Sequence, residues 1–174
     1  SNNYAQDGLT AMAVVRYGNV MGSRGSVIPF FLSKVASGEP LPITDRRMTR
    51  FWITLDQAVQ FVADSFDQMQ GGELYVPRIP SMKLMDLIEA LAPGYPYLET
   101  GIRPGEKLHE EMISSDDSYR TLRLEDRYLV MPTISEWGFT PVEGETVAAG
   151  FSYRSDTNDE WLSARDLQKL LEHR

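Results

Sequence analysis

Short apolar runs alternate with segments of helical spacing along the chain. Residues 11–17, AMAVVRY, form a short apolar run that ends at a glycine, a pattern typical of a buried strand. Residues 26–38 carry apolar side chains at helical spacing, with Pro29 in the first turn. We therefore predict a helix that begins after Ser26 as its N-cap and ends at Gly38. Strand, glycine-containing loop and helix in succession predict an α/β unit.

The same reading continues to the end of the chain. Asp56 is the predicted cap of a helix that runs to Gly71, and Ser81 is the predicted cap of a helix over 81–94. The closing segment, 164–174, is also predicted to be helical. Further extended segments are predicted at 40–43 (PLPI), 51–55 (FWITL), 73–77 (ELYVP) and 125–132 (EDRYLVMP).

Residues 132–160 show little periodicity, so we expect a long irregular excursion held in place by Trp137, Phe139 and Trp161. No internal repeat is evident. A chain of 174 residues is long enough for one domain with a real core. The order of elements predicts a mixed α/β or α+β substrate-binding lobe.

Composition narrows the class of protein. Cysteine is absent, which excludes disulfides and thiolate metal sites and suits a reducing cytoplasm. The net charge of −8 argues against a nucleic-acid surface. The sequence contains no apolar run of membrane-spanning length, and its first residues, SNNYAQDG, are too polar for a signal peptide.

The sequence lacks two motifs of dinucleotide-dependent enzymes. No Gly-x-Gly-x-x-Gly spacing occurs among its 13 glycines, and none of its 8 tyrosines is followed by a lysine four residues later. Glu106 and His109 are predicted to share a helical face, but one such pair is too few ligands for a metal. His173 lies next to the C-terminus. We assign no catalytic and no metal-binding residue.

Three segments carry candidate binding chemistry. Residues 16–27, RYGNVMGSRGSV, combine small residues with Asn19 and lead into a helix N-terminus, which favours anions and polar carbonyls. Arg50 lies in RRMTRFW and Arg103 in the turn RPGE, where we predict that a helix follows at once. Two arginines from separate loops suit a diphosphate. The alternatives are an ordinary connecting turn and solvated arginines.

Taken together, these segments resemble a known family. The inverting UDP-N-acetylglucosamine 4,6-dehydratases, members of the extended short-chain dehydrogenase/reductases, share four motifs in the same order, and the ending YRSDTNDEWLS resembles their C-terminal tail. The four motifs are RYGNVMGSRGSVIPFF, LPITDRRMTRFWITLDQAV, GGELYVPRIPSMK and GIRPGEKLHEEMI. The resemblance therefore covers nearly the whole chain.

The resemblance implies the last strand and helix units of a Rossmann-like sheet, followed by a mixed α+β substrate-binding lobe. It implies that residues 1–174 form a single C-terminal portion, that SNNYAQDG is the final turn of the Tyr/Lys helix, and that the dinucleotide-binding portion is absent. Relatives oxidise the sugar at C4 with NADP, lose water across C5 and C6, and return the hydride to C6. The fragment alone is expected to be inactive.

The family's contacts carry over to specific positions. Tyr17 and Gly18 are expected to touch the nicotinamide side of NADP. Substrate contacts are expected at Asn19, at the helix start (Gly25, Ser26, Val27), at the uracil (Pro42, Ile43, Thr44), at the diphosphate (Arg50, Arg103) and at the ribose (Glu106).

Other readings of the same lobe stay open. Retaining 4,6-dehydratases and 4-epimerases of nucleotide sugars share much of it, and a non-catalytic module that binds nucleotide sugars has the same contacts. The resemblance also implies a homo-oligomer for the full-length protein. From composition, charge and hydropathy we expect a cytoplasmic protein with no nucleic-acid or membrane partner. An isolated half exposes an apolar face and a strand edge, so we expect it to self-associate.

Overall fold

The structure is a computed structural model, and it describes residues 10–133 and 140–172. Its α-helices are α1 (Val27–Ala36), α2 (Leu55–Gln68), α3 (Leu84–Leu91) and α4 (Ala164–Glu172), and a 3-10 helix spans Ser115–Arg120. Within the described residues, no helix combines the length and apolar character that a membrane crossing requires.

The strands are short. They are β1 (Val14–Val15), β2 (Asn19–Val20), β3 (Leu41–Ile43), β4 (Thr49–Ile53), β5 (Leu74–Pro77), β6 (Ser81–Lys83), β7 (Tyr97–Glu99), β8 (Glu111–Ile113), β9 (Thr121–Arg123), β10 (Arg127–Val130), β11 (Glu145–Thr146) and β12 (Tyr153–Arg154). Five of those in the described residues, β1, β3, β4, β5 and β10, overlap a predicted strand or extended segment.

The chain forms two compact units, each assembled from three separate stretches. The sheet unit comprises Ser1–Tyr17, Asp56–Arg78 and Glu111–Tyr153. The cavity unit comprises Gly18–Leu55, Ile79–Glu110 and Arg154–Arg174.

The sheet unit is built on a five-stranded sheet in the order β1-β5-β10-β9-β11. β1 runs parallel to β5, whereas β10 pairs antiparallel with both β5 and β9. Phe61 of α2 packs against Tyr75 of β5 and Leu129 of β10. α2 buries Ala58, Phe61 and Ser65, which recur at helical spacing, so one face of α2 covers the sheet.

The cavity unit contains two small sheets, with strand order β2-β4-β6 and β3-β7. β2 is parallel to β4 with Asn19 opposite Trp52, and β4 is antiparallel to β6 with Arg50 opposite Met82. A core of buried apolar residues from strands and helices joins them, including Phe31, Leu41, Ile43, Trp52, Met82, Leu87 and Leu167. This packing fixes β2, β3 and β4 relative to the start of α1.

The predicted helix after Ser26 is confirmed: Ser26 is the N-cap residue of α1, and Gly38 follows the helix with a left-handed φ of 71°. Two predicted caps were wrong. Ser81 belongs to β6, where it pairs with Phe51, so that helix starts only at Leu84. α2 begins at Leu55, which places Asp56 inside its first turn.

The helix predicted after RPGE was also wrong. Residues 101–110 form a turn, a bend and irregular chain, and β8 follows. Glu106 and His109 therefore share no helical face. The carbonyls of Lys107 and Leu108 accept from Arg50, and the Leu108 carbonyl also accepts from the Thr49 backbone N–H, so these bonds replace those of a helix. Trp161 is 40% exposed and its Nε1 donates to the Asn158 carbonyl at 2.6 Å. Trp137, Phe139, SNNYAQDG and His173 lie outside the described residues.

Candidate functional site

One cavity in the cavity unit, about 310 Å³ in volume, collects the predicted substrate-binding residues. This volume is at the lower end of the range of small-molecule sites. Apolar and aromatic side chains such as Phe31, Trp52 and Met82 line it together with polar ones. All ten predicted substrate contacts are among the lining residues: Asn19, Gly25, Ser26, Val27, Pro42, Ile43, Thr44, Arg50, Arg103 and Glu106. Their role in binding stays a prediction.

The first wall of the cavity is the loop from β2 to α1. Gly25 has a φ of 76°, a left-handed conformation that glycine adopts without steric cost, and it turns the chain into the helix. Ser26 is the N-cap, but its hydroxyl makes no capping bond. In the described part of the chain, that buried hydroxyl oxygen has no hydrogen-bond partner. The helix start thus has a hydroxyl and unpaired N–H groups for a ligand.

The second wall joins the end of β3 to the RPGE turn. Thr44 Oγ1 donates to Glu106 Oε1 at 3.1 Å. The backbone N–H of Glu106 donates to the Arg103 carbonyl at 3.0 Å, so the turn closes on itself. Arg103 is exposed, and no bond from its guanidinium to another described residue is seen. Glu106 therefore holds the turn, and Arg103 is a cation that a ligand can reach.

Arg50 lines the cavity from β4, but its guanidinium is already engaged by the protein. Nη1 donates to the carbonyls of Thr49 at 2.8 Å and Leu108 at 3.0 Å, and Nη2 donates to the Lys107 carbonyl at 2.9 Å. These bonds fasten residues 107–108 to β4. Arg50 thus has a structural role in addition to its predicted role at a diphosphate.

Glu110 was missed by the sequence reasoning, although it contacts two of the predicted residues. Its carboxylate accepts from Asn19 Nδ2 at 2.9 Å and from the Phe51 backbone N–H at 2.9 Å, and it lies 3.8 Å from Arg50 Nε. The sequence EKLHEE offers no signal that separates Glu110 from Glu111. The role of Glu110 is visible only in the folded chain, where the pairing of β2 with β4 places Asn19 and Phe51 beside its carboxylate.

A buried hydroxyl network lies beside Arg50. Thr49 Oγ1 is 2.8 Å from His109 Nδ1 and 2.7 Å from Ser155 Oγ, and Thr49 and Ser155 are almost fully buried. His109 Nε2 is 3.9 Å from an Asp156 oxygen. His109 is therefore a hydrogen-bonded packing residue. Residues 10–133 and 140–172 contain no cluster of three or more acidic or histidine side chains suited to a metal.

The two predicted cofactor contacts lie outside the cavity lining. A Cβ atom on Gly18 would come within 2.5 Å of Phe51 Cβ and 2.7 Å of the Phe51 carbonyl oxygen. The glycine at this position is thus explained by close backbone packing, which also lets Asn19 Nδ2 donate to that carbonyl at 3.1 Å. Tyr17 is 40% exposed.

The three neighbouring arginines, Arg46, Arg47 and Arg50, have different partners. Arg47 is bonded to Asp45, and this hydrogen bond lowers the pKa of Asp45 to about 2. Arg46 lies over the ring of Tyr97, 5.8 Å from its centroid. Only Arg50 of the three lines the cavity. Arg103 and Glu106 are the other charged lining residues, so the lining has two cations and one carboxylate, and the Glu110 carboxylate lies 3.8 Å from Arg50.

Comparison with known proteins gives three results. Residues 1–132 match the family model described as polysaccharide biosynthesis protein. A UDP-N-acetylglucosamine 4,6-dehydratase (inverting) from Campylobacter jejuni strain 81-176 is 48% identical over 99% of this chain and 54% of its own length. A UDP-glucose 4-epimerase from Rickettsia canadensis is 33% identical over 93% of this chain and 49% of its own length.

A solved structure, Pen from Bacillus thuringiensis, superposes with a TM-score of 0.83 at 30% identity, over 99% of this chain and 52% of that chain. The predicted mixed α/β fold class and the family resemblance are both confirmed. The chain spans about half the length of the curated relatives it matches.

Proposed function

Because the chain belongs to the polysaccharide biosynthesis protein family, we propose that its cavity binds UDP-N-acetylglucosamine as part of an inverting 4,6-dehydratase. One observation carries the proposal. Ten residues assigned to the substrate through the resemblance come from three separate stretches of sequence, and they line one cavity.

Each wall has a proposed partner on the ligand. The start of α1, with its free hydroxyl on Ser26 and unpaired N–H groups, suits the polar oxygens of a nucleotide sugar. Pro42, Ile43 and Thr44 are proposed to line the uracil, and Glu106 lies at the ribose. Arg103 is the directly accessible cation for the diphosphate, with Arg50 beside it.

The oxidation, water loss and reduction are proposed to depend on residues outside this stretch, because the sequence has no Tyr-x-x-x-Lys pair. NADP is the proposed cofactor. Close packing against Phe51 already explains the glycine at position 18, so Gly18 does not support the proposed contact with the nicotinamide. No residue of this chain is proposed to take part in a catalytic step. A cytoplasmic homo-oligomer is proposed for the complete enzyme.

Calorimetry of the folded chain with UDP-N-acetylglucosamine and with UDP tests the proposal. Arg103→Ala should weaken binding of both ligands by roughly 10- to 100-fold, because hydrogen bonds to charged groups contribute about 1.5–3 kcal/mol. Arg46→Ala is the matched control, since Arg46 lies over Tyr97 and outside the cavity lining. Failure of either ligand to bind, or unchanged binding by Arg50→Ala and Arg103→Ala, contradicts the proposal.

The second candidate is a UDP-glucose 4-epimerase, favoured by the 33% identity to the Rickettsia canadensis protein. Both candidates predict that this chain binds a UDP-sugar, so the products formed by the complete enzyme separate them. A 4-keto-6-deoxy sugar indicates the dehydratase, and a C4 epimer indicates the epimerase. Turnover by this chain alone, with NADP added, would contradict the assignment of the chemistry to residues outside it.

A further inference from the structure

We propose that Glu110 is the positioning residue of the cavity, which holds Asn19 and Arg50 in the orientations that meet the ligand. This inference rests on the proposed function and adds to it a residue that the resemblance did not supply. Glu110 is not itself among the cavity-lining residues. It acts through two residues that are.

The contacts of Glu110 tie together three parts of the cavity unit. Its Oε1 and Oε2 accept from Asn19 Nδ2 at 2.9 and 3.1 Å, and Oε2 also accepts from the Phe51 backbone N–H at 2.9 Å. Its Oε1 lies 3.8 Å from Arg50 Nε. One carboxylate therefore links β2, β4 and the chain that leads from the RPGE turn.

The backbone of Glu110 is held by the buried hydroxyl network of Thr49 and Ser155. Its backbone N–H donates to Ser155 Oγ at 2.9 Å, and Ser155 is fully buried and bonded to Thr49. The side chain is 30% exposed, so the carboxylate lies at the boundary between this buried network and solvent. Because its backbone is held and its carboxylate is partly desolvated, Glu110 can fix the orientation of the side chains bonded to it.

The Glu110 carboxylate determines the orientation of the Asn19 side-chain amide. Nδ2 donates to two acceptor-only partners, the Glu110 carboxylate and the Phe51 carbonyl. A rotated amide would direct its oxygen at two other oxygens, so rotation is disfavoured. In the described part of the chain, Asn19 Oδ1 is left without a partner and is the atom available to a ligand.

The position of Glu110 next to Arg50 raises an opposite possibility. A carboxylate near an anion site repels the anion, so removal of its charge alone should tighten diphosphate binding. Loss of positioning should weaken it. The sign of the change in affinity therefore separates the two roles.

The binding test uses Glu110→Gln and Glu110→Asp in the full chain, with UDP and uridine as ligands. If Glu110 positions Arg50 and Asn19, both variants bind UDP about tenfold more weakly, and uridine binding changes less than about twofold. Glu111→Gln, in the neighbouring exposed residue, is the control and should bind like wild type. Tighter UDP binding by Glu110→Gln, or wild-type binding by Glu110→Asp, overturns the inference.

A second readout needs no ligand. Hydrogen exchange of the Asn19 side-chain amide, followed by NMR, should be slow in the wild-type chain and at least about tenfold faster in Glu110→Gln and Glu110→Asp. Unchanged exchange in both variants overturns the inference. If the wild-type chain fails to bind UDP, the proposed function fails, and the exchange measurement still decides the role of Glu110. If the Glu110 variants bind UDP and uridine more weakly by the same factor, Glu110 has a general structural role and the inference is overturned.

Discussion

Arg127 of the sheet unit and Arg50 of the cavity unit both stand on strands, yet their surroundings differ. The Arg127 side chain is 6% exposed, lies over the Phe61 ring at 4.9 Å, and is paired with Asp126 at 2.7 Å. The Arg50 side chain is 21% exposed, is held mainly by backbone carbonyls, and borders a cavity. The first arginine is enclosed by its own unit, and the second borders a cavity although its guanidinium is bonded to the protein.

The same contrast holds for two glutamates. Glu73 is 1% exposed, and its carboxylate accepts from the backbone N–H groups of Gln70 and Gly71, so it holds the turn before β5. Glu110 is partly exposed and holds residues that line the cavity. Residue type alone therefore does not separate folding roles from binding roles. The two roles are distinguished by the burial of the side chain and by the residues to which it is bonded.

The largest expected effect is on stability in the sheet unit. Arg127→Ala should lower the free energy of unfolding by about 2–4 kcal/mol, because it removes a buried side chain that packs over Phe61. The loss of the ion pair adds little, since Asp126 is 62% exposed. Urea denaturation measures this. The exposed Arg103→Ala should stay within about 0.5 kcal/mol of wild type. Equal losses in both variants would remove the contrast between the two arginines.

A smaller effect is expected at Gly18. Gly18→Ala forces a Cβ to within 2.5 Å of Phe51, so it should cost about 1–3 kcal/mol and weaken UDP binding through Asn19. Gly38→Ala is the comparison: its Cβ meets open space, but its φ of 71° strains alanine, and it should cost about 1 kcal/mol without changing UDP binding. Full UDP affinity in Gly18→Ala would argue against a role for the packing at Gly18.

The smallest effect is expected at alkaline pH. Burial raises the pKa of Tyr75 to about 12, from an ordinary value of 10.0. The neutral phenol is favoured in the folded state, so this contribution to stability is complete below pH 10 and is lost as the pH rises through about 12.

Ultraviolet titration of tyrosinate should therefore show a late step that Tyr75→Phe removes and that replacement of the exposed Tyr119 by Phe leaves in place. Loss of the late step in the Tyr119 variant would contradict the assignment.

Much of the local structure was predictable from the sequence. The Ser26 and Gly38 boundaries of α1 are encoded within a few residues, because they depend on local backbone preference and hydrophobic spacing. The buried strand predicted over AMAVVRY was only partly right: Val14–Val15 form a strand, but Val14 is 42% exposed, because burial depends on what packs against the strand. Ser81 and the segment after RPGE were predicted wrongly. Their conformations depend on partners distant in sequence, and those partners override local propensity. Ser81 pairs with Phe51 in the sheet, and Arg50 binds the carbonyls of Lys107 and Leu108.

The candidate cavity residues were predictable as a set only through the family resemblance, and their grouping in one cavity follows from the pairing of β2 with β4. By itself the sequence determined the α/β class, the start of α1 and the arginines available for an anion. Only the tertiary structure decided that Arg47 is bound to Asp45, that Arg50 fastens residues 107–108, and that Glu110 rather than Glu111 holds Asn19. Burial and hydrogen-bond partners come from residues far apart along the chain, so no local pattern specifies them.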